Sequence, residues 1–75
     1  TKPFPEPYLK GASSLGLAPK DCIVVENAPM GIKAGKQAGM FVIAITTTLN
    51  KKHLKEADLI VESFDEMNKH LLTAL

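Results

Sequence analysis

An apolar run that stops on an acid and an amide constrains this chain more than any other feature. Cys22-Ile23-Val24-Val25 is followed at once by Glu26 and Asn27, and the apolar part reads as a buried strand. Pro29 comes next, a residue suited to the first turn of a helix because its missing N–H needs no partner there. The segment after it is dense in small residues, Gly31, Ala34, Gly35, Ala38 and Gly39, so the helix can lie very close to a sheet. A buried strand, oxygen ligands at its carboxyl end and a close-packed helix are how open α/β sheets build sites.

The remaining segments repeat that alternation. Thr1-Lys2-Pro3-Phe4-Pro5-Glu6-Pro7 alternates prolines, which exclude helix from the residues before them and hold Lys2 on a stiff, extended segment. Pro7 can still begin a helix, with Tyr8, Ala12 and Leu15 at helical spacing and Leu9 flanking them. Gly16 is placed to stop it, and Leu17 to Asp21 forms the turn into the first strand. Phe41-Val42-Ile43-Ala44-Ile45 is wholly apolar, as expected of a parallel strand covered on both faces. Thr46, Thr47 and Thr48 then fall at its carboxyl end, on the same rim as Glu26.

A short helix over Lys51 to Ala57 leads to a third, weaker strand, Leu59-Ile60-Val61. Ser63 and Glu66 make a capping box for a last helix whose apolar face is Phe64, Met67, Leu71, Leu72 and Leu75. The order is helix, strand, helix, strand, helix, strand, helix. It implies parallel βαβ units, an α/β fold in one piece.

Size and charge narrow the function. Seventy-five residues make at most one small domain, which buries only about 60–65% of its extended surface. A net charge of +1 leaves no basic footprint for nucleic acid. No stretch approaches the length of a membrane span and no signal peptide is visible, so a cytoplasmic protein is expected. Cys22 is the one cysteine, and within its apolar run it reads as a reduced, buried thiol.

Glu26 and Asn27 admit two readings. Two oxygen side chains at a strand end suit a hard cation such as Mg²⁺, which completes its shell with water and phosphate. Equally, the acid can cap the following helix while the amide makes a turn. Lys2 alone would be an ordinary surface charge. A lysine held by Pro-x-Pro, then a helix, then an acidic strand end is a more informative combination. It is suited to phosphoryl transfer, where catalysis is largely positioning and charge neutralisation.

Lys2-Pro-Phe-Pro-Glu-Pro-Tyr8, Val24-Val-Glu-Asn-Ala-Pro-Met-Gly-Ile-Lys-Ala-Gly35, and Ala38-Gly-Met-Phe-Val-Ile43 resemble the C-terminal part of a haloacid-dehalogenase-superfamily hydrolase. The resemblance is to the β-phosphoglucomutase-like and phosphoglycolate-phosphatase-like branch. It extends over nearly the whole chain, including Ala57-Asp58-Leu-Ile-Val61 and Ser63-Phe64. It implies a Rossmann-like parallel-sheet core and a Mg²⁺-dependent phosphatase or phosphomutase acting on a small phosphorylated metabolite. Lys2 then matches the lysine that steadies the nucleophile and the phosphate charge, and Glu26 the first metal-binding acid. Asn27 stands where many members carry a second acid; its amide oxygen can bind metal but brings no negative charge.

The resemblance also implies parts that these residues do not supply. No Asp-x-Asp-Gly-Thr run is present, and Asp21, Asp58 and Asp65 all fall at positions that do not match the nucleophile. The nucleophile-bearing N-terminal part and the cap domain are expected to be absent from the 75 residues, leaving half a catalytic site. The chain alone is then expected to be inactive. An alternative is a non-catalytic α/β module that works only by association with another chain. The resemblance also implies that the Cys22–Val25 strand lies between the missing nucleophile strand and Phe41–Ile45; with that order kept it becomes a sheet edge, and self-association or pairing with the N-terminal part is expected. The two histidines, His53 and His70, have no Cys or acid at metal-ligand spacing and read as solvent-facing, while the threonines read as a β-rich strand end.

Overall fold

The computed structural model describes residues 4–46 and 51–74, the last two of them by backbone alone. Three helices alternate with three strands: α1 (Glu6–Ser14), β1 (Ile23–Glu26), α2 (Pro29–Gln37), β2 (Phe41–Ile45), β3 (Leu59–Val61) and α3 (Phe64–Ala74). Single 3-10 turns at Pro19–Asp21 and Lys51–Leu54 lead into β1 and toward β3. The sheet is parallel throughout, in the order β1-β2-β3. The α/β alternation read from the sequence is the fold, with the third of the four expected helices, Lys51 to Ala57, reduced to the Lys51–Leu54 turn. Its chain closes early, where the Ala57 N–H donates to the Leu54 carbonyl.

Glycine ends both of the first two helices for the same reason. At Gly16 (φ 70°) and Gly39 (φ 80°) the backbone enters the left-handed region that side chains disfavour. Leu17 N–H then reaches back to the Ala12 carbonyl and Gly16 N–H to Ser13; Met40 and Gly39 do the same to Gly35 and Lys36. These paired 6→1 and 5→2 bonds satisfy carbonyls that a helix end would otherwise leave open. At α3 the N-terminus is capped through the Ser63 Oγ, which accepts from Glu66 N–H at 3.0 Å. The return bond to the Glu66 carboxylate comes from Glu62 N–H, one residue before the cap, so the box is offset by a residue.

Register divides the strands between two faces. Val24 pairs with Val42 and Ala44 with Ile60, placing these side chains toward α1 and α2. There they form the larger core with Ala12, Ile32, Met40 and Leu54. The opposite face carries Ile43, Ile45 and Val61, covered by Met67 and Leu71 of α3. Among the described residues nothing covers the part of this face that belongs to β1.

Several sequence expectations therefore fail on one side only. Of the Cys22–Val25 run just Val24 is buried; Ile23 and Val25 are 50% and 43% exposed, as is Phe41 at 45%. Leu15, Phe64 and Leu72 sit at the right helical spacing but project away from the core. Cys22 is half-buried rather than enclosed. It stands before β1 at the end of a 3-10 turn, with its Sγ 3.5 Å from the Ala18 carbonyl. Leu75 lies outside the described residues.

The amino ends of β2 and β3 are tied by a single acid. The Val42 N–H donates to Asp58 Oδ2 at 2.7 Å, and the Asp58 N–H donates back to the Val42 carbonyl at 2.9 Å. Lys36 closes the group, its Nζ 2.8 Å from Asp58 Oδ2 and 3.2 Å from the Met40 carbonyl. Burial alone would raise the Asp58 carboxyl, but the hydrogen bond from Lys36, the Val42 N–H and the lysine charge together hold it below the ordinary carboxylate value.

Candidate functional site

Because all three strands are parallel, their carboxyl ends share one rim. Glu26 is the last residue of β1, in register with Ala44, and Asn27 begins the bend into α2. A cavity of about 330 Å³ opens here, lined by Val25, Glu26, Asn27, Ile45 and Phe64. Asp21 and Asp58 precede β1 and β3, which places them at the opposite rim. Asp65 lies in the first turn of α3. The described structure thus brings Glu26 and Asn27 together and leaves Asp21 and Asp58 at the far rim, while Asp65 follows β3 on the carboxyl rim, next to the cavity-lining Phe64. Lys2, Thr47 and Thr48 lie outside the described residues. Thr46 continues the ladder through its N–H to the Val61 carbonyl.

Glu26 is held from three elements. By strand alternation its side chain points to the α1/α2 face. There the Tyr8 hydroxyl, on α1, donates to Oε2 at 2.6 Å. The Asn27 N–H donates to Oε1 at 3.2 Å. On α2, a Cβ built at Gly31 would lie 2.6 Å from both carboxylate oxygens and closer still to Cδ. With any Cβ at position 31 the carboxylate would have to swing out of this place. Burial, then the hydrogen bond and negative charge of Glu26, push the Tyr8 phenol up to about 12, so it remains a donor at any physiological pH.

These two contacts were missed in the sequence. Tyr8 reads as an apolar helix position, although its hydroxyl is a polar handle that seeks a partner when half-buried. Gly31 reads as one more small residue for close packing. That role falls to Gly35, whose added Cβ would stand 2.7 Å from Val42 Cγ2.

The donor chemistry fits a hard divalent cation as part of its shell. One carboxylate and one amide supply oxygen ligands, and Gly31 preserves the space the carboxylate occupies. Among the described residues no group of three His, Cys, Asp or Glu converges, so water or other groups would complete the coordination. Both histidines are exposed.

The family model for haloacid dehalogenase-like hydrolases matches residues 1–45, more than half of the chain. The chain belongs to this family. Relatives in it include phosphatases and phosphomutases. Hexitol phosphatase A of Escherichia coli (strain K12) is 46% identical over 66 residues, covering 88% of this chain and 31% of that protein. Beta-phosphoglucomutase of Bacillus subtilis (strain 168) is 35% identical over 71 residues, covering 95% of this chain and 30% of its own. In three dimensions, the crystal structure of beta-phosphoglucomutase from Clostridium difficile superimposes with a TM-score of 0.84 at 34% identity, covering 99% of this chain and 32% of that one. The chain spans about a third of the length of these two curated relatives. Among the described residues no helix is long and apolar enough to cross a membrane.

Proposed function

We propose that the chain supplies the lysine and the metal-binding half of a Mg²⁺-dependent phosphatase or phosphomutase site for a small phosphorylated metabolite. The observation that carries this reading is the pairing of Glu26 with Asn27 on the carboxyl rim of a parallel sheet, beside an open cavity. Open α/β sheets bind ligands at that rim. Membership of a hydrolase family whose relatives include phosphatases and a phosphomutase supports the same reaction class.

Each residue has a distinct part. Glu26 and Asn27 would hold the cation, the first with charge and the second with an amide oxygen. When bound, Mg²⁺ neutralises and orients phosphate oxygens. Lys2 supplies a second positive charge toward the phosphate. It precedes Tyr8 by six residues, at most about 20 Å of extended chain, and Tyr8 touches Glu26. A nucleophile is not provided by Asp21, Asp58 or Asp65, so the covalent step requires an aspartate from outside these residues.

Two measurements test the reading. In a calorimetric titration the chain is expected to bind Mg²⁺ weakly, with a millimolar Kd that Glu26→Gln abolishes. Micromolar binding, or weak binding indifferent to Glu26, contradicts the assignment. With Mg²⁺ present the chain alone should turn over no aryl phosphate above a protein-free blank, and turnover that Glu26→Gln abolishes would show the division of the site to be wrong.

A second reading is favoured by the bare apolar strip Ile23, Val25 and Phe41 beside the β1 edge. It makes the chain a non-catalytic module that works only when another polypeptide covers that strip.

A further inference from the structure

Glu26 has an anchor that lies far away in sequence and belongs to a different element. Tyr8 and Glu26 are 18 positions apart, and their hydrogen bond of 2.6 Å links the first turns of α1 to the end of β1. The carboxylate also accepts from the Asn27 N–H at 3.2 Å. A carboxylate has about four acceptor positions; these two bonds fill one on each oxygen and leave one on each for a ligand. Glutamate is otherwise a side chain with considerable rotamer freedom. Here both its reach and its roll are fixed before any cation arrives.

We propose that Tyr8 is a positioning residue for Glu26, holding the carboxylate over Gly31 in the one orientation from which it meets a divalent cation. This rests on the reading of Glu26 as a metal ligand. Two independent features of the structure converge on it. The hydroxyl fixes Oε2 from the α1 side, and the bare Cα of Gly31 admits the carboxylate from the α2 side, where any Cβ would stand 2.6 Å from both oxygens. The hydroxyl donates to Oε2 at 2.6 Å, so it acts as a hydrogen-bond donor to the ligand and not as a ligand itself. Outer-sphere partners of this kind commonly change metal affinity by about 10- to 100-fold.

The test is a ¹H–¹⁵N NMR titration of the 75-residue chain with MgCl₂, following the amides of Glu26 and Asn27. Tyr8→Phe keeps the ring and removes only the donor. It should raise the Mg²⁺ Kd about tenfold while the core amides of Ile32 and Val42 keep their shifts. Gly31→Ala should raise it at least as much, and adding Tyr8→Phe to Gly31→Ala should change little more, since the carboxylate has already left the phenol. A Tyr8→Phe Kd within twofold of the parent, with Glu26→Gln abolishing binding, overturns the role of Tyr8 and leaves the metal site standing. Mg²⁺ shifts unchanged by Glu26→Gln overturn both. Should Tyr8→Phe disturb the core shifts, Gly31→Ala decides: unchanged affinity there overturns the proposal.

Discussion

Replacing Gly35 by alanine sets two opposing effects against each other at one atom. In an exposed helix the change would stabilise the chain by about 0.8–1.0 kcal/mol, because alanine loses less backbone entropy. Here α2 lies so close to the sheet that the new Cβ would stand 2.7 Å from Val42 Cγ2 and 3.4 Å from Val24 Cβ and Cγ1. Val42 is fully buried and Val24 nearly so, and a β-branched side chain has little rotamer freedom with which to retreat. Opening the contact to ordinary van der Waals distance needs a shift of about 0.7 Å, and overpacking of this kind typically costs about 1–3 kcal/mol. The net expectation is a loss of about 1 kcal/mol, or a Tm lower by about 4–8 °C for a domain of this size. Val42→Ala alone removes two buried carbons, about 1.6 kcal/mol of transfer free energy, with a cavity cost added. In the double variant the alanine at 35 moves into the space the valine vacated, so the two losses should fall short of their sum by about 1 kcal/mol. Urea unfolding followed by far-UV circular dichroism measures this, at one fixed protein concentration because association would add mass-action stability. A Gly35→Ala chain stabilised by the full propensity gain, with losses that simply add, would refute the packing argument.

Other outcomes follow from single contacts. Asp58→Ala should cost about 2 kcal/mol in urea unfolding, since it strands the buried Val42 N–H and the Lys36 charge; a change under about 0.5 kcal/mol would contradict the role given to this acid. Because its native pKa lies below the ordinary carboxylate value, its contribution is complete well above that value and lost as the pH falls through the lower native one, so acid unfolding of the parent should be steeper there than that of Asp58→Asn. Self-association through β1 should be weakened by Val25→Lys, whose side chain is exposed; sedimentation equilibrium showing a compact parent monomer at micromolar concentration would remove the basis for an edge interface. Gly39→Ala, at φ 80°, should lower the Tm by several degrees through left-handed strain, and an unchanged melting curve would contradict the cap geometry.

The fold was legible where one residue type has one physical use. Gly16 and Gly39 marked helix ends because few other residues accept their backbone. Pro29 opened α2, and the even apolar run of β2 produced the central strand with four buried residues. What periodicity could not convey was which strand faces have a partner. Ile23 and Val25 are as apolar as Ile43 and Ile45, yet the first pair stays exposed because α3 reaches only β2 and β3. Leu15 and Phe64 mislead in the same way, since spacing on a helix predicts a shared direction and says nothing of whether the sheet extends that far. Val24 shows the reverse. It looks like an edge residue open to a charge, but its side chain lies under α2, so a lysine there would break the core before it tested an edge.

The candidate site was legible as a motif and illegible as a mechanism of support. Adjacency put Glu26 and Asn27 on the rim, and the parallel sheet keeps them there. Yet adjacency does not say how the acid is held, because Glu26 ends the strand and Asn27 already lies in the bend that follows it. Glu26 turns toward α1 and α2, and its acid is useful at the rim only if something across the sheet restrains it. That restraint comes from Tyr8, which precedes it by 18 residues, and the missing Cβ of Gly31 leaves the space in which the acid is held. Neither has a signature at short range: one is an aromatic residue at a core spacing, the other a glycine within a helix, where it would ordinarily cost about 1 kcal/mol against alanine. A helix that carries glycine in its first turn at Gly31, and again at Gly35 against a different neighbour, has its composition set by the sheet beneath it. The small-residue helix and the acidic strand end are therefore one feature: the first exists in this form because the second must fit against it.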